Sequence, residues 1–424
     1  MDQTSLKQIL QQMMEQNTQQ LVQLLLIALG CSVFLLPVGR MMTDVGLCRS
    51  KNAADTVLRH LTSLCVMVLV FYGIGAPILF QNHNGIFGFQ FRLLGGGMGS
   101  HPLLPHILFW MMSFLIAGGV VVGAMQERTR FVVIPWLCGI MAGLVLPVMG
   151  NWAWSGWLLK LGMVDVGGAS VIHFPAAITA LVGAILVGPR AGKYNHDGSA
   201  NGIPPHNVPL AVLGAMVLVL GWFPYMLGAT VTHAQGNLAM TVGNVIIAAA
   251  AGGVAAMLYA RLRYGKAEMF LTLVGLLSAL VAISASGGLV PVWAAAAIGA
   301  ISAVIAIWFS LKLDLHWRID DPTAAISIHG VGAIVGMIGV SLFTSEEGTV
   351  AFARHLGVQL LGLFAGGLLS AVLAGGTLLI IRKVVGLRSS QADEYDGLDL
   401  AEHDINAYPD FQQTMIKSYH LREA

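Results

Sequence analysis

The stretch SVIHFPAAITALVGAILVG, residues 170–188, contains one histidine, His173, among residues that are otherwise mostly small or apolar. Its length is close to the roughly 20 residues that cross the hydrocarbon core of a bilayer as a helix. A histidine within such a span is costly unless it has a partner or faces a cavity, and it therefore indicates a functional site by default. The plain alternative is a structural histidine that is hydrogen-bonded between helices.

The composition of the whole chain is that of a polytopic membrane protein. Of its 424 residues 56% are hydrophobic and 10% are charged, and the mean hydropathy is +0.76. Soluble proteins have about 25% charged residues. The formal net charge of +1 gives no support for nucleic-acid binding. The cysteines stand singly in or beside apolar segments, which indicates packing rather than a metal site or a disulfide framework; they are Cys31, Cys48, Cys65 and Cys138.

Helix-length apolar segments recur along the chain and predict an all-α fold with eleven transmembrane helices. We expect residues 1–20 to form a short extracellular segment, residues 21–385 the membrane domain and residues 386–424 a cytoplasmic tail. The first twenty residues lack the pattern of a cleaved signal peptide. The predicted spans are 21–42, 54–79, 104–125, 131–149, 167–187, 208–231, 238–260, 269–286, 290–311, 324–343 and 355–381.

The distribution of cations predicts the orientation, because Lys and Arg are enriched in cytoplasmic loops. With eleven spans in the cell membrane, the N-terminus lies outside the cell and the C-terminus lies in the cytoplasm. The cations that then lie inside are Arg49, Lys51, Arg59, Arg128, Arg130, Arg190, Lys193, Arg261, Arg263, Lys266, Arg318, Arg382, Lys383 and Arg388. Those outside are Lys7, Arg92, Lys160 and Arg354.

A second segment is similar to the opening stretch and predicts an internal repeat. In ISIHGVGAIVGMIGVSLF, residues 326–343, His329 again follows an apolar residue and precedes small residues. The two histidines fall on spans five and ten, which cross the membrane in opposite directions. This is the pattern of an inverted repeat of five plus five spans, with a binding site near the midplane where the halves meet. The eleventh span is then an addition.

Two histidines at matching repeat positions indicate a shared site at the pseudo-symmetry axis. Imidazoles that share a proton in a narrow apolar pore could pass a small neutral hydrogen-bonding molecule or relay a proton. Metal binding is less well supported, because the same spans bring no Asp, Glu or Cys close to His173 and His329. The sequence shows no classical enzyme constellation and implies no cofactor.

Several further motifs resemble the ammonium transporter (Amt/Mep/Rh) family in order, spacing and extent. They are GLCRSKN (46–52), GAMQERTRF (123–131), WSGWLLKLGMVDVGGASVIH (154–173), PHNVPL (205–210), GWFPY (221–225), DDP with HGVGAIVG (320–336) and GLDLAEHDINAYP (397–409). The resemblance implies a homotrimer with one pore per subunit. It also implies that ammonium is recruited at an outer vestibule and deprotonated, and that ammonia is conducted past twin histidines while the proton may follow a separate relay.

The resemblance assigns roles to individual residues. His173 and His329 match the twin histidines, and Asp165 matches an aspartate beneath the vestibule, although a helix N-cap is an equally good interpretation. Trp154 matches the vestibule tryptophan. Tyr225 stands at the second gate position, and Trp222 is expected to line the pore.

The sequence departs from the family pattern around the vestibule. The outer gate phenylalanine falls on Ser113, and Phe114 can replace its ring only if the helix shifts, since one residue turns a helix by about 100°. Ala229 replaces the recruiting serine, Met226 an asparagine and Ala324 an acidic residue. These changes keep a second function open, an ammonium sensor with weak or no conduction. A channel for another neutral molecule, such as carbon dioxide, is a third reading.

Two features outside the pore also call for an interpretation. Arg40 and Asp44 are four residues apart on one helix face, which indicates a pair that locks helices or snorkels, with a regulatory role as the alternative. The polar tail is disordered on composition alone. Its resemblance to the family motif instead implies that it folds against the cytoplasmic face, couples subunits and contacts a PII-type regulator.

Overall fold

The computed structural model describes residues 3–81, 86–90, 102–344 and 348–409, and of residues 3–6, 9 and 10 it describes the backbone alone. Arg92 and residues 410–424 of the tail therefore lie outside the described part. Within that part the secondary structure is helical, and β pairing is limited to two isolated bridges. The prediction of an all-α fold is confirmed.

The α-helices are numbered in chain order, α1 to α17. Their bounds are Gln3–Val33, Leu35–Leu47, Ala53–Val70, Ala76–Leu79, Leu104–Met125, Val133–Ile140, Leu146–Trp154, Trp157–Leu161, Phe174–Val187, Val208–His233, Leu238–Tyr264, Met269–Ser284, Val292–Leu315, Gly332–Thr344, Thr349–Val384, Gln391–Asp396 and Leu398–His403. Short 3-10 or π segments join several of them into longer helices.

Ten of the resulting helices among the described residues are long and apolar enough to cross a membrane. A shorter apolar helix, Met269–Ser284, coincides with the predicted eighth span. The first helix begins at Gln3, so the polar segment before residue 21 is a helical continuation of the first span. Large apolar side chains such as Leu220 and Phe364 are exposed on the bundle surface, as expected of side chains that face lipid.

Four helices contain a wider, π-helical turn. The first three turns are Phe71–Gly75, Met141–Val145 and Ala169–His173, and each is followed by a helix with proline at its second position. Proline cannot donate a backbone hydrogen bond and its ring clashes with the carbonyl four residues earlier, so the preceding turn widens. The fourth turn, Ser327–Val331, is followed by a helix that begins with Gly332 and has alanine at its second position.

Helix α2 packs very closely on α10, because glycines, which have no side chain, stand at the contact. A Cβ atom at Gly39 would lie 2.5 Å from the backbone nitrogen of Leu218, and one at Gly46 would collide with the backbone of Ala211. Small residues allow such backbone approach between membrane helices, where no hydrophobic driving force acts.

The predicted pair of Arg40 and Asp44 lies at the centre of a buried polar cluster. Arg40 Nε donates to Asp44 Oδ2 over 2.9 Å, and the Nε2 atom of His60 lies 3.1 Å from the same oxygen. Arg40 Nη2 also donates to Thr323 Oγ1 over 2.6 Å, which ties the first span to the loop before the tenth. The contacts are those of a helix lock, the first interpretation of the sequence; a regulatory role stays a prediction.

The cluster packs against Gly123 in the space that a side chain there would fill. We therefore expect Gly123→Ala to destabilise the fold. An added Cβ would lie 2.5 Å from Asp44 Oδ2 and 2.7 Å from Thr323 Oγ1. Overpacking of this kind costs about 1–3 kcal/mol. The expected result is a lower melting temperature of the purified protein in detergent.

Gly139→Ala is the matched control for Gly123→Ala. It is also a helical glycine, and its Cβ would meet only Val66 Cγ1 at 3.8 Å, an ordinary contact. Alanine is favoured over glycine in a helix by about 1 kcal/mol, so this variant should be as stable as the parent or more so. Equal melting temperatures for the two variants would contradict the packing argument.

A second cluster lies on the basic face, the side of the bundle that carries Arg49, Arg128 and Arg190 between spans. Glu127 is fully buried there: its Oε1 accepts from Arg190 Nη1 over 2.6 Å and its Oε2 accepts from Arg49 Nε over 2.5 Å. Arg190 also donates to both carboxylate oxygens of Asp320, over 2.8 and 3.0 Å. Burial alone would raise the pKa of Glu127, but Arg190 and Arg49 hold that pKa below its usual value.

The described part of the tail packs on this basic face. The Leu398 amide donates to Asn52 Oδ1 over 2.9 Å, and the Asp55 amide donates to Asp399 Oδ1 over 2.7 Å. Both contacts join the tail to the start of the second span. The part up to residue 409 is thus folded against the bundle, and its regulatory role stays a prediction.

Candidate functional site

The two predicted histidines meet in the interior of the bundle. The rings of His173 and His329 stack with 5.1 Å between centroids and 25° between planes, and their Nδ1 atoms are 3.1 Å apart. Both side chains are buried. A neutral imidazole has one donor and one acceptor nitrogen, so one ring donates from Nδ1 and the other accepts. The outer nitrogens of the pair are then one acceptor and one donor.

Each histidine lies on one of the π turns, at Ala169–His173 and Ser327–Val331. A residue in the left-handed region precedes both turns: Gly168 has φ 87° and Ala324 has φ 51°. π turns inside α-helices occur frequently at functional sites. The two sequence repeats therefore share a local backbone design.

A carboxylate caps each of these segments eight residues before its histidine. Asp165 Oδ1 accepts from the amides of Gly168 and Ala169, over 2.9 and 2.8 Å, and Oδ2 accepts from the amide and hydroxyl of Ser170, over 2.7 and 2.6 Å. This is capping geometry. Burial raises the pKa of Asp165 to about 6 against the lowering effect of these hydrogen bonds.

Asp321 is the counterpart of Asp165 and was missed in the sequence analysis. Its carboxylate accepts from the amides of Ala325 and Ile326, over 3.0 and 2.8 Å, and burial raises its pKa to about 6. The signal was available, since both aspartates stand eight residues before a histidine. The family pattern has an acidic residue at the position of Ala324. In this chain the acidic group of the second repeat is Asp321, three residues earlier.

Trp222 and Tyr225 lie against His173. The ring of Trp222 stacks on His173 with 5.4 Å between centroids and 11° between planes, and its Nε1 donates to Ser284 Oγ over 3.0 Å. The hydroxyl of Tyr225 donates to the carbonyl of Gly167 and lies 3.5 Å from His173 Nε2. Tyr225 therefore lies between the loop capped by Asp165 and the histidine pair.

An aromatic cluster surrounds Trp154, whose Nε1 donates to the carbonyl of Asp165 over 2.8 Å. Trp110 stacks on Trp154 with 4.0 Å between centroids, and the Phe114 ring lies 6.3 Å from Trp154. His233 tilts against Trp154 at 5.0 Å.

Sequence reasoning overlooked Trp110 and His233 in this cluster. Trp110 stands four residues before Phe114, a spacing that places both on one helix face and could have revealed it. His233 had no comparable signal, because its neighbours in space come from other spans.

Ser113 of the predicted gate and Ala229 of the predicted vestibule bring no ring or hydrogen-bonding group to the cluster. The hydroxyl of Ser113 donates to the carbonyl of Phe109 on its own helix over 2.8 Å. Ala229 is fully buried one turn after Tyr225. The ring stacked on Trp154 thus comes from Trp110, one turn before Ser113.

The profile of the Ammonium Transporter Family matches residues 24–408. The chain belongs to the ammonium transporter family. It is 33% identical to ammonium transporter Amt2 of Archaeoglobus fulgidus over 407 residues, which cover 90% of this chain and 87% of that protein. It is 29% identical to the ammonium transporter of Bacillus subtilis, with coverage of 89% and 96%. The family is one of transporters and not of enzymes.

Solved structures of the same family share the fold. A structure described as "Sensor Amt Protein" superposes with a TM-score of 0.86 at 32% identity, and the match covers 92% of this chain and all of the other. Mep2 of Saccharomyces cerevisiae superposes with a TM-score of 0.77 at 24% identity, over 88% of each chain. This ammonium transporter family member is a multi-pass membrane protein.

Proposed function

We propose that this family member carries ammonium across the membrane by deprotonating it and conducting ammonia past His173 and His329. The observation that carries the proposal is the buried, hydrogen-bonded pair of imidazoles on two matching π turns. Their outer nitrogens offer one donor and one acceptor, which suits a neutral molecule that can both accept and donate hydrogen bonds.

The chemistry favours a neutral permeant. A full charge in an apolar interior costs far more than a neutral polar group that keeps a hydrogen bond. Ammonium therefore gives up its proton before it reaches the histidine pair, and ammonia then passes the two imidazole rings. In this scheme Tyr225 is the gate between the vestibule and the pore, with Phe114 and Trp110 on the outer side.

A sensor with weak conduction is the second candidate. The aromatic cluster is tightly packed, since Trp110 covers a face of Trp154 at 4.0 Å, and the Tyr225 hydroxyl bonds the carbonyl of Gly167. The similarity to the solved structure described as "Sensor Amt Protein" also supports this candidate. The retained histidine pair favours transport, because a receptor has no need of a conducting pore.

Assembly, orientation and regulation are part of the same proposal. We expect a homotrimer in the cell membrane, with the N-terminus outside and the basic face in the cytoplasm. The hydrogen bonds of the tail to Asn52 and Asp55 at the start of the second span support the proposal that the tail transmits the binding of a PII-type protein to the membrane domain.

The transport proposal is tested by an ammonium jump on proteoliposomes that contain the purified protein. We expect a saturable transient current that empty liposomes lack, measured together with a pH-sensitive dye inside the vesicles. Ammonia entry raises the internal pH because ammonia takes up a proton there.

The three possible outcomes separate the candidates. Current indicates electrogenic transport, and a dye signal without current indicates a neutral ammonia channel. Neither signal, together with ammonium binding to the purified protein, would overturn transport in favour of the sensor.

A further inference from the structure

A small cavity lies directly beside the capping aspartate and the aromatic cluster. It measures about 120 Å³, and its lining includes Trp154, Met163, Asp165, His233 and Gln235. A water molecule takes up about 30 Å³ in the liquid, so the cavity is large enough for an ion of ammonium's size with some water. Three of its walls are an indole, a carboxylate and an imidazole.

The imidazole of His233 is held in place by ring contacts. Its centroid lies 5.0 Å from that of Trp154 and 5.4 Å from that of Trp110, with interplanar angles of 45° and 40°. The Nε2 atom is buried, and it has no hydrogen-bond partner among the described residues. A buried polar atom without a partner costs about 1–3 kcal/mol, and in a native structure it requires an explanation.

The groups next to His233 leave the role of hydrogen-bond acceptor for a cation to its Nε2 atom. The carboxylate oxygens of Asp165 already accept five hydrogen bonds, so Asp165 acts on a cation mainly through its charge. The donors are the amides of Gly168, Ala169, Ser170 and Val171 and the Ser170 hydroxyl. The stacked Trp110 covers one face of Trp154, which limits cation–π contact there. A cation with four N–H donors needs a lone pair, and neutral imidazole offers one.

We infer that His233 binds the ammonium ion in this cavity, with Nε2 as the acceptor of one of its N–H bonds. The inference rests on the proposed function and deepens it, because it assigns the recruitment of the cation to a residue on α10 beyond Ala229. No covalent step is involved, and the imidazole is neutral while it accepts the bond.

The ring contacts by themselves do not require a histidine. A phenylalanine at position 233 would keep an aromatic ring against Trp154 and Trp110 and would have no acceptor. Glutamine would lose the ring and place its amide oxygen about as far from the backbone as Nε2. These two variants therefore separate packing from acceptor chemistry.

The experiment measures current against ammonium concentration in proteoliposomes for the parent, His233→Phe and His233→Gln. A hydrogen bond to a charged group is worth about 1.5–3 kcal/mol, so we expect His233→Phe to raise the half-saturating concentration at least about tenfold. The maximal current should stay near that of the parent. His233→Gln should recover part of the affinity, and His196→Phe, at an exposed loop histidine, serves as the control.

An unchanged half-saturating concentration in His233→Phe would overturn the inference. A parent protein with neither current nor internal alkalinisation would instead contradict the transport proposal. In that case ammonium chloride is titrated into the detergent-solubilised proteins, with potassium chloride as the reference salt, and tryptophan fluorescence is recorded. A response of the parent that His233→Phe lacks still supports ammonium binding at His233, and equal responses or none in the parent overturn it.

Discussion

His329→Ala is expected to lower the ammonium-evoked current at least about tenfold, because each 1.36 kcal/mol added to a barrier slows a step tenfold. The variant removes the ring that lies 3.1 Å from His173 Nδ1 and leaves that nitrogen buried without its partner. An ammonia molecule in the widened apolar space would also lose a hydrogen-bond partner. The loss should appear in the current if the proton crosses with ammonia, and in the rate of internal alkalinisation if ammonia crosses alone.

The control for this experiment is His316→Ala, since His316 is exposed at the end of α13 and lies outside both π turns. Its current should equal that of the parent. His173→Ala should resemble His329→Ala, and the double variant should be little worse than either, because each single change already breaks the pair. A His329→Ala protein that is folded and transports normally would refute the role of the pair.

Glu127→Ala is expected to destabilise the protein by about 3 kcal/mol, the lower end of the cost of breaking a buried ion pair. The buried carboxylate joins Arg49 to Arg190, and Arg190 in turn holds Asp320. Arg190 retains Asp320 in the variant and Arg49 is partly exposed, which keeps the expected cost near this lower value. Thermal unfolding in detergent measures the effect.

The same carboxylate should contribute to acid sensitivity. Its pKa in the folded protein is below the unfolded value of about 4.3, so the stabilisation is present above that pH and is lost as the pH falls through the folded pKa. Glu127→Ala should therefore show a smaller loss of melting temperature on acidification than the parent. Glu402→Ala on the same face is the control, with an exposed side chain and an expected change within about 0.5 kcal/mol. Equal stability of the two variants would contradict the role given to Glu127.

Much of the architecture could be predicted because apolar length and charge distribution are local properties of the chain. The predicted span 104–125 coincides with the helix Leu104–Met125, and the span 208–231 with Val208–His233 to within two residues. The start of the first helix could not be predicted. Residues before 21 are polar, and hydropathy alone cannot tell a helix that continues into water from one that begins at the membrane surface.

The candidate site was predictable where it repeats and unpredictable where it is assembled from distant spans. His173 and His329 could be paired from their repeat positions, and Asp321 could have been found by the same spacing. Trp110 and His233 could not be joined to Trp154 in this way, because their contacts depend on how three spans pack together.

The sequence by itself determined that this chain is a helical membrane protein, and it showed two similar segments with a histidine at matching positions. These properties follow from hydropathy, proline and glycine positions and short spacings, which act within a single segment. Only the tertiary structure decided that the two imidazoles share a hydrogen bond, that Trp110 stacks on Trp154 and that the His233 nitrogen is buried beside a cavity. Such contacts depend on helix rotation and distance between spans, and a shift of one residue along a helix turns a side chain by about 100°.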